Sequence, residues 1–378
     1  MYSEPKRIEY LDSLRGIASL CVLLSHTVAT FVWPDSYSRF LNLPFLHILW
    51  DGPAAVVMFF VLSGYVLSKP YVVVTADAPP RRMFLPTFYL RRFTRIWLPW
   101  FAVFLMSIVA KKYLFDVPSS QPPVSGWFKN MWQAPLTLGD FLRQCTFTLH
   151  DSHRLLLSQD WSLGIELKGS ALMPLFIFLS DRKRLPILLA VIAFFLALIH
   201  NGHYYISFII GVLIARYEDS CPAWFQQLNP FARALILIFC LALYQVFNVL
   251  VNDYGSTPVH YKYGWLATAI GCGGILLLVR FGRSLQQFLN SRPLVFLGRV
   301  SYSVYLLQMI TVLCLLPQLV RGMNHLGVTS DPVIFLAVIL VSVVTTIACA
   351  AATYEIIEVP AINTGHYLTK KIQRVFGR

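Results

Sequence analysis

Ten apolar stretches, each near the length of a membrane-spanning helix, constrain this 378-residue chain more than any other feature. A helix that crosses the hydrocarbon core of a bilayer needs about 20 mostly apolar residues. The stretches occupy, approximately, residues 13–32, 52–69, 96–114, 162–180, 185–200, 203–217, 232–251, 263–280, 297–317 and 333–353. Because a helix satisfies its backbone hydrogen bonds internally, the sequence predicts an all-α, polytopic membrane protein with about ten transmembrane helices. The fifth and sixth stretches are short and share the turn from His200 to His203, so they form either a hairpin or a partly re-entrant pair.

The composition supports a membrane protein and narrows its partners. Only 13% of the residues are charged and 57% are hydrophobic, whereas a soluble domain carries about 25% charged residues. This excludes an ordinary soluble protein and an intrinsically disordered one. Basic residues on the cytoplasmic side explain the net charge of +13, and no nucleic-acid partner is expected. The seven cysteines are scattered without a CxxC or Cys/His spacing, so neither a disulfide framework nor a metal site is predicted.

The distribution of basic residues predicts the orientation of the chain. With the N-terminus in the cytoplasm, most of the 31 Lys and Arg residues fall in cytoplasmic segments, so both termini are expected inside. One outer segment, about 115–160, is long and rich in aromatic and charged residues, which favours a folded cap. The polar N-terminus is unlike a signal peptide, so the first stretch is interpreted as a retained helix. The sequence predicts one membrane domain over 1–378, with a core of about 7–360 and a cytoplasmic tail of about 361–378.

The first apolar stretch carries Arg15 and His26, which lie 11 residues apart. At ~100° per residue, this spacing places both side chains on one helix face with a rise of about 16 Å between them. Asp12 can pair with Arg15. Ionisable residues at membrane depth mark functional sites, and a histidine suits a general base acting on a hydroxyl. The alternatives are a packing role for His26 and an interface anchor for Arg15.

The fourth stretch begins with DWSLGIE at residues 160–166. Glu166 lies about one turn inside the apolar region, where a carboxylate can orient and stabilise an imidazole. The alternative is helix capping, with Ser162 as the N-cap of a capping box and Asp160 as a further cap candidate.

The third stretch is preceded by RRFTR at residues 91–95. Arg91 and Arg95 share a helix face, and Arg92 flanks it. Positive charge at a helix N-terminus opposes the helix dipole, which favours a bound anion, and guanidinium groups bind phosphate bidentately. The alternatives are topology alone or contact with lipid headgroups.

A polar stripe runs through GRVSYSVYLLQ at residues 298–308, in the ninth stretch. Ser301, Tyr305 and Gln308 follow one line along the helix, and Tyr302 precedes Tyr305 by three residues. Such a stripe is expected to face protein or water, although interhelical hydrogen bonds alone explain it.

Two further features have structural interpretations. GCGG at residues 271–274 favours close helix packing over a phosphate-binding loop. Near the end of the tenth stretch, we expect a surface role for Glu358 and a cytoplasmic arginine as the partner of Glu355.

Taken together, these blocks resemble the acyltransferase-3 family of integral membrane acyltransferases. The resemblance covers about residues 7–360 and rests on LDSLRG with its Arg-x10-His pair, FFVLSGYVLS at 59–68, RRFTR, WSLGIE, GRVSYSVYLLQ and a terminal ExxEVP. It implies about ten transmembrane helices. It also implies transfer of an acyl group, often acetyl, from cytoplasmic acyl-CoA to a hydroxyl of a sugar, a glycan or another acceptor.

The resemblance also implies roles for individual residues. The matched positions are Arg15 and His26 in the Arg-x10-His pair, Arg91, Arg92 and Arg95 in RRxxR, and Trp161, Ser162 and Glu166 in WSL…E. We expect the arginines to bind the phosphates of coenzyme A, His26 to deprotonate the acceptor hydroxyl, and Glu166 to stabilise the imidazolium. Supporting roles are expected for Asp12, Trp161, Ser162, Arg299, Ser301, Tyr302 and Tyr305.

The sequence departs from the family pattern in two places. Leu-Lys-Gly-Ser at 167–170 follows Glu166 where many members have a second acid or Gln and an aromatic residue, and Gln308 stands where many have His. Many relatives append an SGNH hydrolase-like domain, so a stand-alone member is expected here.

The predicted function is O-acetylation from acyl-CoA, such as acetyl-CoA, in polysaccharide modification at a bacterial inner membrane, without metal. The alternative is a transporter or an acyl shuttle that passes the group to another protein.

Overall fold

A computed structural model describes residues 8–72, 83–148, 156–199, 201–254 and 258–375 of the chain. Within these residues the secondary structure is helical, with one isolated antiparallel bridge between Phe31 and Val124 and no strand. The helices are α1 Glu9–Ala29, α2 Asp35–Leu41, α3 Pro44–His47, α4 Gly52–Val72, α5 Leu85–Tyr113, α6 Gly126–Asn130, α7 Leu138–Cys145, α8 Asp160–Leu179, α9 Leu185–Leu198, α10 His203–Tyr217, α11 Ala223–Gln226, α12 Pro230–Tyr254, α13 Pro258–Phe281, α14 Arg283–Leu289, α15 Arg292–Ile310, α16 Leu316–His325, α17 Asp331–Thr353 and α18 Val359–Val375. Two π-helical segments, Thr311–Leu315 and Tyr354–Glu358, follow α15 and α17.

A helix occupies each of the ten predicted stretches, which confirms the all-α class. In the described part of the chain, seven helical segments are long and apolar enough to cross a membrane. They are Gly52–Val72, Leu85–Tyr113, Asp160–Leu179, Pro230–Asn248, Tyr263–Phe281, Arg292–His325 and Asp331–Arg374.

The other three predicted stretches are α1, α9 and α10. Helices α9 and α10 have 14 and 15 residues, which corresponds to about 21–23 Å against a hydrocarbon core of about 30 Å. They agree with the short fifth and sixth stretches, although His200 in the turn lies outside the described residues. Helix α1 has 21 residues but carries Glu9, Asp12 and Arg15 in its first two turns, so this end is polar.

Packing divides the chain into two compact units that each gather distant segments of the sequence. The first unit contains Met1–Ala18, Pro53–Phe84 and Lys168–Arg299, and the second contains Ser19–Gly52, Leu85–Leu167 and Val300–Arg378, as far as these are described. The division falls within α1, α8 and α15, so each of these helices contributes residues to both units.

In the first unit, helices approach one another at glycines. A Cβ on Gly211 of α10 would collide with the Val61 carbonyl oxygen of α4, and one on Gly64 would collide with the backbone of α10. A Cβ on Gly271 of α13 would lie 2.6 Å from the Cys240 carbonyl oxygen of α12. Small residues permit such backbone contact between membrane helices. The packing role predicted for GCGG is confirmed.

In the second unit, the C-terminal helix α18 packs along α5. A Cβ on Gly365 would collide with the Thr94 hydroxyl oxygen, so a glycine allows this close approach. The described part of the predicted tail of 361–378 belongs to α18. It therefore lies against the helix that carries the arginine block.

The described residues of the predicted outer segment, 115–148 and 156–160, belong to the second unit, and part of them contacts the end of α1. Phe31 forms the isolated bridge with Val124, and the Ser125 hydroxyl donates to the Ala29 carbonyl at 2.6 Å. The same hydroxyl accepts from the Phe128 N–H at 3.2 Å, which caps α6. These contacts hold the first turn of α6 close to the residues that follow His26.

Candidate active site

His26 lies near the end of α1, with one nitrogen and one ring face in contact with side chains of the second unit. Its Nδ1 atom is 3.2 Å from Oε1 of Gln308 on α15. Its ring is stacked on the indole of Trp127 from α6, with centroids 5.4 Å apart and planes inclined by 8°. The imidazole is half-buried. An apolar helix, a polar stripe and the outer segment therefore converge on one histidine.

Gln308 is fully buried and is held by the turn of α15 that precedes it. Its Nε2 atom donates to the Tyr305 carbonyl at 3.0 Å. Gln159, which comes just before α8, donates from Nε2 to the Tyr305 and Leu306 carbonyls, both at 3.0 Å. The π-helical segment Thr311–Leu315 begins three residues after Gln308. Such segments interrupt the regular helical hydrogen-bond ladder and are frequent at functional sites.

A hydroxyl pair connects the start of α8 with α15. Ser162 Oγ and Tyr305 Oη are 2.5 Å apart, and Ser162 donates to the Gln159 carbonyl at 2.8 Å. Because the serine has a single proton, Tyr305 is the donor to Ser162. Helix α8 begins at Asp160, so Ser162 lies in its first turn and the N-cap interpretation of Ser162 is wrong. Its role is to bond α8 to α15.

Asp160 and Trp161 occupy opposite environments at the same helix start. Asp160 is buried, and its Oδ1 atom accepts from the Trp100 indole at 2.7 Å. Trp161 is 38% exposed. The buried carboxylate ties α8 to α5, while the predicted supporting residue Trp161 lies at the surface of the structure.

Glu166 is paired with Arg92. The two side chains form an ion pair between α8 and α5, with 12% and 10% of their surfaces exposed. The sequence led us to expect Glu166 beside the His26 imidazole, but the contacts give His26 a neutral amide and give Glu166 the guanidinium of Arg92. The physical reason is that a guanidinium is always charged and offsets the desolvation of a buried carboxylate better than an imidazole does. The contact of Arg92 with a phosphate stays a prediction.

The three arginines of RRFTR therefore differ in burial. Arg92 is buried, whereas Arg91 and Arg95 are exposed. Arg91 Nε is 3.4 Å from the Thr369 hydroxyl of α18. Among the three, Arg91 and Arg95 have the exposure that contact with a phosphate requires.

Arg15 and Asp12 belong to the first unit. Arg15 Nη2 is 3.5 Å from the Ser63 hydroxyl of α4, and both Arg15 and Asp12 are half-buried. A Cβ on Gly298 of α15 would collide with the Asp12 carbonyl group, so α1 and α15 are in backbone contact there. The pairing of Asp12 with Arg15 stays a prediction.

The remaining supporting residues lie on α15 and differ in burial. Arg299 is exposed and Ser301 is buried. Tyr302 donates from its hydroxyl to the Ile96 carbonyl of α5 at 2.7 Å, so its observed role is to bond two helices together.

Sequence reasoning did not identify Trp127 as a contact of His26, and it gave Glu358 a surface role. Glu358 is in fact 3% exposed and accepts from the Ser303 hydroxyl at 2.9 Å. It ends the π-helical segment Tyr354–Glu358, whose wider turn has no signature in hydropathy. For Trp127, the available signal was the aromatic content of the outer segment, which did not single out one ring.

The protein is helical and has several segments long enough to span a membrane. Polar side chains gather between its apolar helices. These features define an integral membrane protein with an enzyme-like site. Residues 8–353 match a family model described as an acyltransferase domain, Acyl_transf_3. Since this match covers most of the chain, the protein belongs to the acyltransferase-3 family, and the resemblance noted from its motifs is confirmed.

One curated relative adds detail at lower coverage. The chain is 43% identical over 68 residues to the O-acetyltransferase PaAT-1 of Phomopsis amygdali, a match of 16% of this chain and 14% of the relative. The chain thus spans about a seventh of that relative's length. No solved structure matches the chain.

Proposed function

We propose that this protein is a membrane O-acyltransferase that moves an acyl group, most simply acetyl, from acyl-CoA to a hydroxyl of a sugar or glycan. The observation that carries the proposal is the His26 imidazole, half-buried between α1, α6 and α15, in a chain of the acyltransferase-3 family. The O-acetyltransferase named in the partial match agrees with this reaction.

In the proposed reaction, His26 accepts the proton of the acceptor hydroxyl while that oxygen attacks the thioester carbonyl carbon. A C–O bond forms and the C–S bond breaks. The sulfur of coenzyme A leaves as a thiolate and takes the proton from the imidazolium. A positioned base of this kind contributes roughly 10²- to 10⁴-fold to the rate.

The proposed donor site uses the exposed arginines of α5. Arg91 and Arg95 bind the phosphates of coenzyme A, because guanidinium groups match phosphate oxygens. Arg92 keeps its carboxylate partner Glu166 and so bonds α5 to α8. For Arg15, which lies in the other compact unit, a donor-binding role follows from the family pattern and stays a prediction.

A polar depression in the outer part of the second unit is our proposal for a first contact with a glycan acceptor. It is open to the surface, has a volume of about 300 Å³ and is lined by Ser119, Ser120, Gln121, Asn324 and Thr329. Asn324 is held by two bonds to the Gln121 backbone, at 2.8 and 2.9 Å. Hydroxyl and amide groups of this kind both donate to and accept from sugar hydroxyls.

The proposed topology has ten membrane spans and both termini in the cytoplasm of a bacterium, in its inner membrane. The excess of basic residues in alternate segments supports this orientation. The short helices α9 and α10 then form one hairpin that enters the membrane together.

The test uses purified full-length protein in detergent with radiolabelled acetyl-CoA and a panel of free and lipid-linked sugars. We expect ester formation with release of the coenzyme A thiol, and a loss of roughly 10²- to 10⁴-fold in kcat for His26→Ala. His325→Ala, at an exposed histidine of α16, serves as the matched control and should keep wild-type activity. Full transfer by a correctly folded His26→Ala protein would overturn the proposed base. No turnover of acetyl-CoA by the wild type in detergent, where no gradient exists, would favour the transporter or shuttle instead.

A further inference from the structure

We infer that Gln308 is a positioning residue that holds the neutral His26 imidazole in the tautomer protonated at Nδ1, so that Nε2 is the nitrogen that receives the acceptor's proton. This inference rests on the proposed role of His26 as the base. It assigns a function to the glutamine at the position where the family pattern departs.

The orientation of the Gln308 amide is fixed by its neighbour. The Tyr305 carbonyl can only accept a hydrogen bond, so the atom 3.0 Å from it must be the NH₂ group of Gln308. The amide oxygen therefore occupies the other side of the group, 3.2 Å from His26 Nδ1. Assigning the two atoms the other way would place an oxygen against an oxygen.

The orientation of the amide determines the proton on the imidazole. An amide oxygen carries no hydrogen and only accepts, so a hydrogen bond to it requires a hydrogen on Nδ1. In a neutral imidazole, a hydrogen on Nδ1 leaves the lone pair on Nε2. The hydrogen bond made by one ring nitrogen thus sets which nitrogen acts as the base.

The surroundings make this arrangement rigid. Gln308 has no exposed surface, and the Tyr305 carbonyl to which it donates also accepts from Gln159 of the segment before α8. Trp127 covers one face of the imidazole. Among the described residues, the hydrogen bond of the His26 ring is made by Nδ1, and none is made by Nε2.

A neutral amide has a different consequence from a carboxylate at the same place. A carboxylate would stabilise the imidazolium and so hold the proton once it has been taken. An amide fixes the direction of the lone pair without adding a charge, which leaves the imidazolium free to return its proton to the leaving thiolate.

The experiment compares Gln308→Met, Gln308→Glu and the control Gln245→Met, at a buried glutamine of α12 in the first unit. Methionine is close in size but offers no comparable acceptor, so we expect kcat to fall about 10- to 100-fold, as when other partners that orient a histidine are lost. The KM for acetyl-CoA should stay within about twofold, since the inferred role of the amide is to orient the imidazole and not to bind the donor. The Gln245→Met protein should retain both constants.

The Gln308→Glu variant distinguishes a role of Gln308 in positioning His26 from a role in packing alone. A carboxylate oxygen still accepts from Nδ1, so the Glu variant should be at least about tenfold more active than the Met variant. If Gln308 served packing alone, a charge buried at this position would be more harmful than methionine. A Glu variant that is less active than the Met variant, or a Met variant with wild-type kcat, would overturn the inference.

The tautomer can be observed directly in the resting protein. In ¹⁵N-histidine NMR of the full chain in detergent, the His26 signal, assigned by its loss in His26→Ala, should show protonation at Nδ1 in the wild type and a mixed population in Gln308→Met. Protonation of wild-type His26 at Nε2 would refute the inference. Because this measurement needs no substrate, it stays informative even if transfer from acetyl-CoA is not found, so the two proposals fail separately.

Discussion

Each compact unit buries a polar cluster between helices, and the two clusters are built from different chemistry. In the first unit, Glu218 is 3% exposed and binds Lys69 at 3.0 Å, Tyr65 at 2.6 Å and Arg280 at 3.3 Å. In the second unit, His26 is bonded to a neutral amide and stacked on an indole. The first cluster joins α4 and α13 by opposite charges to Glu218, which directly follows α10, while the second orients a group that can change its protonation.

The difference between the two clusters indicates that one stabilises the fold and the other serves the reaction. Both oxygens of the Glu218 carboxylate are engaged, so this cluster acts as a structural tie between helices. The Arg92–Glu166 pair has the same character within the second unit. His26, by contrast, has a partner on one nitrogen, which leaves the other available for proton transfer. We therefore expect mutations of the charge clusters to reduce stability and mutations around His26 to reduce kcat.

The largest losses of stability are expected where a buried charge loses its partner, and Glu218→Gln is the first such case. Removing the carboxylate leaves Lys69 and Arg280 without their anion, and breaking a buried pair costs about 3–5 kcal/mol. We place this case near 3 kcal/mol, because the side chains of Lys69 and Arg280 are 23% and 32% exposed. The melting temperature in detergent, followed by tryptophan fluorescence, should fall clearly, while kcat per folded molecule stays near wild type. Tyr65→Phe, which removes one hydroxyl, is the milder control at about 1 kcal/mol. A loss of kcat without a loss of stability would break the comparison.

A double-mutant cycle at Arg92 and Glu166 comes next. Arg92→Gln and Glu166→Gln should each destabilise the protein by about 3 kcal/mol, because each removes one side of a buried ion pair. The double variant should be no less stable than either single variant, since both charges are then absent. Thermal unfolding of the four proteins measures the coupling, with activity recorded on the folded fraction. If both variants that lack Glu166 have lost kcat by 10²-fold or more while Arg92→Gln has not, Glu166 acts on the reaction as the sequence suggested, in addition to pairing with Arg92.

Donor binding should respond to the exposed arginines and not to exposed basic residues elsewhere. Arg91→Ala with Arg95→Ala is expected to weaken acetyl-CoA binding about tenfold or more, which corresponds to ~1.4 kcal/mol. The matched control replaces Arg182 and Lys183, which are exposed in the turn after α8, and should leave the Kd unchanged. Isothermal titration calorimetry with acetyl-CoA provides the measurement. Equal weakening by both pairs would indicate general electrostatic attraction in place of a site on α5.

The smallest effect is expected for Trp127→Leu. The indole covers one face of His26, and its loss leaves Nδ1 bonded to Gln308, so we expect kcat to fall about three- to tenfold, or ~1 kcal/mol. Trp224→Leu, at a tryptophan that is 65% exposed, is the control. A loss as large as that of His26→Ala would mean that Trp127 takes part in binding substrate. The steady-state rate of thiol release at saturating acetyl-CoA is sufficient for this comparison.

The sequence predicted the helices much better than their contacts. Hydropathy placed a helix at all ten stretches, because the preference of an apolar segment for the bilayer is a property of that segment alone. It also found the family through short motifs, and the close packing of GCGG through residue size. It did not find the partner of Glu166, because Arg92 is 74 positions away in the chain and meets Glu166 only when α5 and α8 pack together. Nor did it find the burial of Glu358, which depends on a π-helical turn.

The sequence by itself determined the all-α membrane class and the positions of the ten apolar helices, because these follow from the length and composition of each segment alone. Its motifs, the Arg-x10-His pair among them, resemble the acyltransferase-3 family, and the match to the family model confirms that resemblance. Only the tertiary structure decided that His26 meets a glutamine 282 positions away and that Arg92 pairs with a carboxylate 74 positions away. Hydrogen bonds and ion pairs require atoms within about 3–4 Å, and only the packing of helices from distant parts of the chain brings such atoms together.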